Sequence, residues 1–147
     1  MLSTYSAKHP YAIAFASIPA AIVLTYVPHI ASVLLSPKKV DLFDPRAALD
    51  VAPAESITRR LRCCHTNSLE VFPIFAASVL LAYSARVDAQ QVDKAAALWL
   101  LLRIVYSAAY IGGSRDRPWA PKLRGLSWFF GTAITLYLGV KAFKRMI

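Results

Sequence analysis

Residues 11–35 read YAIAFASIPAAIVLTYVPHIASVLL, twenty-five positions without an Asp, Glu, Lys or Arg. The hydrocarbon core of a bilayer is about 30 Å thick, and a helix needs about 20 apolar residues to cross it. The apolar region of a cleaved signal is only about 7–15 residues. This run is therefore read as a permanent first span. Pro19 and Pro28 lie inside it and are expected to kink it, which membrane helices tolerate because neighbouring groups re-satisfy the freed carbonyls.

Three more spans follow outward from it. Val71 to Ala85 is uncharged but too short to cross alone. Its helix is expected to extend backward to about Ser56, where Glu55-Ser56-Ile57-Thr58 offers capping groups. Ala95 to Ser114 is interrupted only by Arg103, and Gly125 to Val140 is flanked by Arg124 and Lys141. Ser36 to about Pro53 reads as a loop, Arg86 to Lys94 as a short turn, and Arg115 to Lys122 as a second loop. The expected fold is all-α: one domain over residues 1–147, an integral membrane four-helix bundle with spans near 11–35, 60–85, 95–114 and 124–142. Composition agrees. Hydrophobic residues make up 57% and charged ones 17%, against about 25% charged in soluble domains.

Four spans leave both termini on one side. The two loops on the other side hold ten Lys and Arg and the terminal side holds six, which favours cytosolic loops. The net charge of +9 lies at the ends of apolar runs, with no basic stripe and no nucleic-acid motif. It suits contact with anionic lipid surfaces and an anionic ligand. Cys63 and Cys64 are adjacent, which disfavours a disulfide between them. No metal-ligand spacing occurs.

The charges inside the spans need a reason, because an Arg at mid-helix costs about 2.5–3.5 kcal/mol. Arg60, Cys63, Asn67 and Glu70 recur at steps of three and four, as do Arg103, Tyr106 and Tyr110. Two helices thus each carry a polar stripe toward the same end, where Arg124 opens the fourth span. One reading pairs Glu70 with Arg103 as a packing device. The other starts from the surplus of cations: Arg60, Arg62, Arg103 and Arg124 face one acid, Glu70. A net-positive pocket holding one carboxylate suits a small ligand with two carboxylates and an amine, and the guanidinium fork matches carboxylate geometry.

The stretch Arg60-Leu-Arg-Cys-Cys-His-Thr-Asn-Ser-Leu-Glu-Val-Phe-Pro73 resembles the signature of the MAPEG family, membrane-associated proteins in eicosanoid and glutathione metabolism. Asn67, Glu70 and Pro73 meet the family's N-x-x-E-x-x-P core, and His65 its His two residues before the Asn. Arg103, Tyr106 and Tyr110 match the third-span pattern, Arg124 and Trp128 the opening of the fourth helix, and Asp44-Pro45-Arg46 the first-loop element. The ordered set covers nearly the whole chain. The resemblance implies a homotrimer, with glutathione as co-substrate between neighbouring subunits near the cytosolic face, in the endoplasmic reticulum or another intracellular membrane. It implies that Asn67 and Glu70 hold the γ-glutamyl end. Arg103, Tyr106 and Tyr110 would contact the peptide and its carboxylates, with Arg60, His65 and Arg46 in a second tier. Arg124 would be the catalytic cation beside the sulfur.

One position departs. The family usually carries Arg four residues before the Asn, and here that residue is Cys63. Arg62 is one step away, about 100° round the helix, and is not expected to replace it directly. The expected function is a glutathione-dependent transferase or peroxidase acting on a lipophilic electrophile or lipid hydroperoxide, with membrane lipids as further partners and no nucleic acid. The alternative, motivated by Cys63, is a non-catalytic lipid-binding or scaffolding member. A small transporter ranks last, since the chain lacks internal repeats and discontinuous Gly-rich spans.

Overall fold

The computed structural model describes residues 9–36, 53, 56–113 and 117–147. They form four helices: α1 (Ala12–Leu34), α2 (Ile57–Ser84), α3 (Ala89–Gly112) and α4 (Trp119–Met146). No strand occurs among the described residues. Each helix is long and apolar enough to cross a membrane, as a multi-pass integral membrane protein requires. α1 pairs with α2 and α3 with α4, while α2 also touches both α3 and α4, and α1 touches α3.

The helix bounds follow from capping. α2 begins where the Ser56 side chain accepts the Arg59 N–H at 3.2 Å, as the capping residues suggested. α3 starts six residues earlier than its apolar run, because Asp88 accepts the Gln91 N–H at 3.0 Å. The turn before it is correspondingly tight. Arg86 sits at φ 52, with Val87 N–H bonding Ala82 O at 3.0 Å and Arg86 N–H bonding Tyr83 O at 3.0 Å. That is a Schellman closure with a left-handed residue where Gly is usual. α4 runs on past Val140, with Lys144 and Arg145 in its last turn, where cations oppose the negative end of the helix dipole. α1 continues through Pro19 and Pro28 as one helix.

Small residues face the bundle interior. Ala14, Ser17, Ala21, Thr25, Pro28 and Ser32 are the buried positions of α1; Ser127, Gly131 and Thr135 belong to the buried stripe of α4. Small side chains let membrane helices approach closely. Their hydroxyls bond the preceding turn of their own helix: Thr25 donates to Ala21 O at 2.8 Å, Ser68 to Cys64 O at 2.8 Å and Thr135 to Gly131 O at 2.9 Å. The bulky centre is Phe75 of α2 stacked on Trp99 of α3, centroids 3.7 Å apart and 5° from parallel. Large apolar side chains such as Val27, Leu34, Leu101, Phe129 and Leu136 point outward, as lipid contact demands.

Asp93 joins α3 to α1. It is 2% exposed and accepts the Ala14 N–H at 2.8 Å. This satisfies one of the orphan donors of the first turn of α1, which has no side-chain cap of its own. Tyr11, just before α1, donates from its hydroxyl to Val87 O. At the opposite end Thr58 reaches Leu35 O at 3.4 Å, so α1 and α2 run antiparallel.

Candidate functional site

The polar side chains converge at the end of the bundle formed by the start of α2, the end of α3 and the start of α4. α2 presents Arg59, Arg62, Cys63, Thr66, Asn67 and Glu70, and α3 adds Tyr110. Together they line a groove of ≈ 350 Å³. The six α2 positions recur at steps of three and one, so they make one broad helical face rather than a single file. Arg62 stands one step from Cys63 and still lines the same groove. Two guanidiniums and one carboxylate give the walls a positive balance.

The Asn67 side-chain oxygen is buried and has no hydrogen-bond partner among the described residues. A buried acceptor left unpaired costs about 1–3 kcal/mol, and Asn67 is one of the residues that line the groove. Glu70 is exposed on the outer side of α2. No ion pair between Glu70 and Arg103 occurs among the described residues.

Arg103 instead lies inside the bundle, 4% exposed. It donates to Ser68 Oγ at 3.0 Å, and its guanidinium sits 4.2 Å from the Tyr106 ring centre and 5.9 Å from that of Trp99. Tyr106 is buried as well and packs 5.6 Å from the Tyr110 ring. Arg124 of α4 then lies 4.6 Å over Tyr110. A column of rings and guanidiniums thus runs from Trp99 in the core through Arg103, Tyr106 and Tyr110 to Arg124 beside the groove. Cation–π contacts gain strength when desolvated, to about 2 kcal/mol. Arg103 also borders a small cleft of ≈ 40 Å³ between α2, α3 and α4, where Trp128 faces it.

The sequence-predicted site residues therefore separate. Asn67, Glu70 and Tyr110 share the groove, and Arg124 adjoins it through the Tyr110 ring. Arg103 and Tyr106 form the buried layer behind. Arg60 donates from Nε to Ile111 O at 3.0 Å, tying α2 to the end of α3. The His65 ring faces α1: Nδ1 lies 2.8 Å from Thr25 O, and the ring packs on Tyr26 and His29 at 5.4 and 4.7 Å. Arg46, with Asp44 and Pro45, lies outside the described residues. Sequence reasoning passed over Arg59 and Thr66, although both fall on the three-and-four spacing of Asn67 and Glu70. No group of His, Cys, Asp and Glu able to hold a metal occurs among the described residues.

A search of curated proteins and a search of solved structures found no match to this chain. A family model does match. Its span takes in the whole polar end of the bundle, from the α2 stripe through Arg103 and Tyr110 to Arg124. With the MAPEG family model matching residues 13–144, nearly the full length, the chain belongs to the MAPEG family.

Proposed function

We propose that this chain is a glutathione-dependent membrane transferase or peroxidase acting on a lipophilic electrophile or a lipid hydroperoxide. Membership of the family already makes it a membrane protein of glutathione and eicosanoid metabolism in general. The observation that carries the finer reading is the groove walled by Arg59, Arg62, Asn67 and Glu70, with the Asn67 oxygen buried at that wall without a partner among the described residues. Glutathione has two carboxylates, an amine and amide N–H groups. The residues present suit each of these: guanidiniums for carboxylates, Glu70 for the ammonium, and Asn67 Oδ1 for an N–H.

Bound there, glutathione supplies a thiol, whose ordinary pKa is near 8.5 and whose thiolate is the nucleophile. Arg124 holds a fixed positive charge over Tyr110 at the groove edge, and such a charge favours the thiolate. Arg103 and Tyr106 position Tyr110 from behind and do not reach the ligand. The apolar co-substrate arrives laterally from the bilayer. The exposed Glu70 supports assembly as a homotrimer, with a neighbouring subunit closing the outer side of the groove.

The second reading, a non-catalytic lipid-binding or scaffolding member, is favoured by one observation. Cys63 lines the groove at the position where the family pattern it resembles usually has Arg, which leaves one guanidinium fewer in the wall. Turnover separates the two. Purified protein in detergent micelles is given glutathione with a lipophilic haloarene, and separately with a fatty-acid hydroperoxide. Conjugation or reduction supports the enzyme. Glutathione binding with neither reaction supports the second reading, and absence of binding rejects both.

A further inference from the structure

Near the middle of the bundle, on the outer side of α3 and α4, the two helices enclose a second groove. It has a volume of ≈ 330 Å³ and is lined by Leu98, Leu102, Phe130, Ala133, Ile134 and Tyr137. Its walls are entirely apolar except for the Tyr137 hydroxyl, which donates to Gln91 at 3.3 Å. On α3 the stripe continues backward at a step of four from Leu102 through Leu98 to Lys94. On α4 it continues forward at steps of four and three, from Phe130 through Ile134 and Tyr137 to Lys141 and Lys144. Both apolar stripes therefore end on lysines at the same membrane surface. Lys141 is already poised there, its ammonium 5.5 Å from the Tyr137 ring centre.

The dimensions match one leaflet. Phe130 to Tyr137 spans about 10 Å of helix at 1.5 Å per residue, and half of the hydrocarbon core is about 15 Å. The acids at this end do not oppose an anion at the lysines equally. Asp93 is turned into the bundle and holds Ala14 N–H. Asp88 is exposed and accepts Gln91 N–H, leaving it as the nearby counter-charge to Lys94, Lys141, Lys144 and Arg145. The balance remains positive.

We propose that the α3–α4 groove binds one acyl chain of an anionic phospholipid, with its headgroup held by Lys94, Lys141 and Lys144. This site is distinct from the glutathione groove and opens toward the lysines at the opposite membrane surface, so it stands whether or not the chain is an enzyme. It predicts a lipid of defined headgroup charge retained at one position, beyond the general attraction of basic residues to membranes.

The test is native mass spectrometry of the full-length protein, delipidated and then exchanged into nanodiscs of phosphatidylglycerol or of phosphatidylcholine. The expected result is retention of one phosphatidylglycerol per chain in preference to phosphatidylcholine. Lys94→Gln with Lys141→Gln should lower that preference by roughly 25-fold, at about fivefold per lysine. Ala133→Phe keeps every charge and fills the groove from an exposed position, and should abolish retention. Both variants are checked by thermal unfolding. Equal retention of the two lipids by the unaltered protein would overturn the proposal. So would undiminished retention by Ala133→Phe, which would mean diffuse surface attraction. Efficient disulfide formation between copies carrying Ala133→Cys would also overturn it, since a second chain would then cover the groove.

Discussion

Replacing Asn67 with Leu separates the needs of the fold from those of the ligand. In the absence of a ligand the Asn67 oxygen is buried without a partner, and an unsatisfied acceptor of this kind costs about 1–3 kcal/mol. Leucine has a similar volume and carries no such atom. Polar groups in the membrane-embedded denatured state also find partners, and measured interhelical couplings average only about 0.6 kcal/mol. The net gain is therefore set at the low end, about 1 kcal/mol, equivalent to a melting temperature about 3 °C higher. Glutathione should suffer the reverse. A hydrogen bond from a neutral amide N–H contributes about 0.5–1.5 kcal/mol, so its affinity should fall roughly 2- to 10-fold. Thermal unfolding in detergent micelles, run with and without glutathione, reads both effects in one experiment. The variant should melt higher alone and gain less from the ligand. A variant that melts lower alone and responds to glutathione like the unaltered protein would refute the reasoning, because the Asn67 oxygen would then serve the fold.

Other substitutions divide the site by role. Arg124→Ala should lower turnover about tenfold, the effect of one unit of thiol pKa, and leave glutathione affinity within about threefold (a small loss for a charge that lies over Tyr110); steady-state kinetics with calorimetry separates these. Glu70→Ala should weaken binding about tenfold with little effect on the rate at saturation, read by the same pair of measurements. Cys63→Arg restores a guanidinium to the groove wall and should tighten glutathione binding roughly tenfold. An unaltered affinity would mean that Arg62 already does its work. Asp93→Ala removes the acceptor for Ala14 N–H and should destabilise the protein by about 1–3 kcal/mol. Asp93→Asn, which keeps an acceptor, should cost less, and hydrogen exchange at Ala14 reports the loss directly.

Most of the fold was legible because apolar runs of membrane length have few alternatives. The first span could be read to within a residue at each end, and the start of α2 followed from Ser56. What could not be read depended on contacts between helices. Asp93 looked like part of a charge-balanced turn, since nothing local signals that a carboxylate will cap α1 from across the bundle. The three-and-four spacing placed Arg103, Tyr106 and Tyr110 on one face, yet it could not say which neighbour that face meets. Only Tyr110, nearest the helix end, reaches the groove. Arg60 and His65 fall in the resemblance pattern on α2, and in the structure they meet the end of α3 and the second half of α1. Arg62 lines the groove beside Cys63. A 100° step matters against a narrow seam and much less against a groove as broad as this one.

The claim beneath all of this is that the groove lined by Arg59, Arg62, Asn67 and Glu70 binds a dianionic peptide. Isothermal calorimetry with glutathione, and then with its dimethyl ester, tests it most directly, because the ester keeps the thiol and the shape but loses both carboxylate charges. Glutathione should bind with a dissociation constant between roughly micromolar and millimolar (about 4–8 kcal/mol), and the ester should bind at least tenfold more weakly. Equal heats for the two compounds, or no heat for either, would contradict a groove built around those charges.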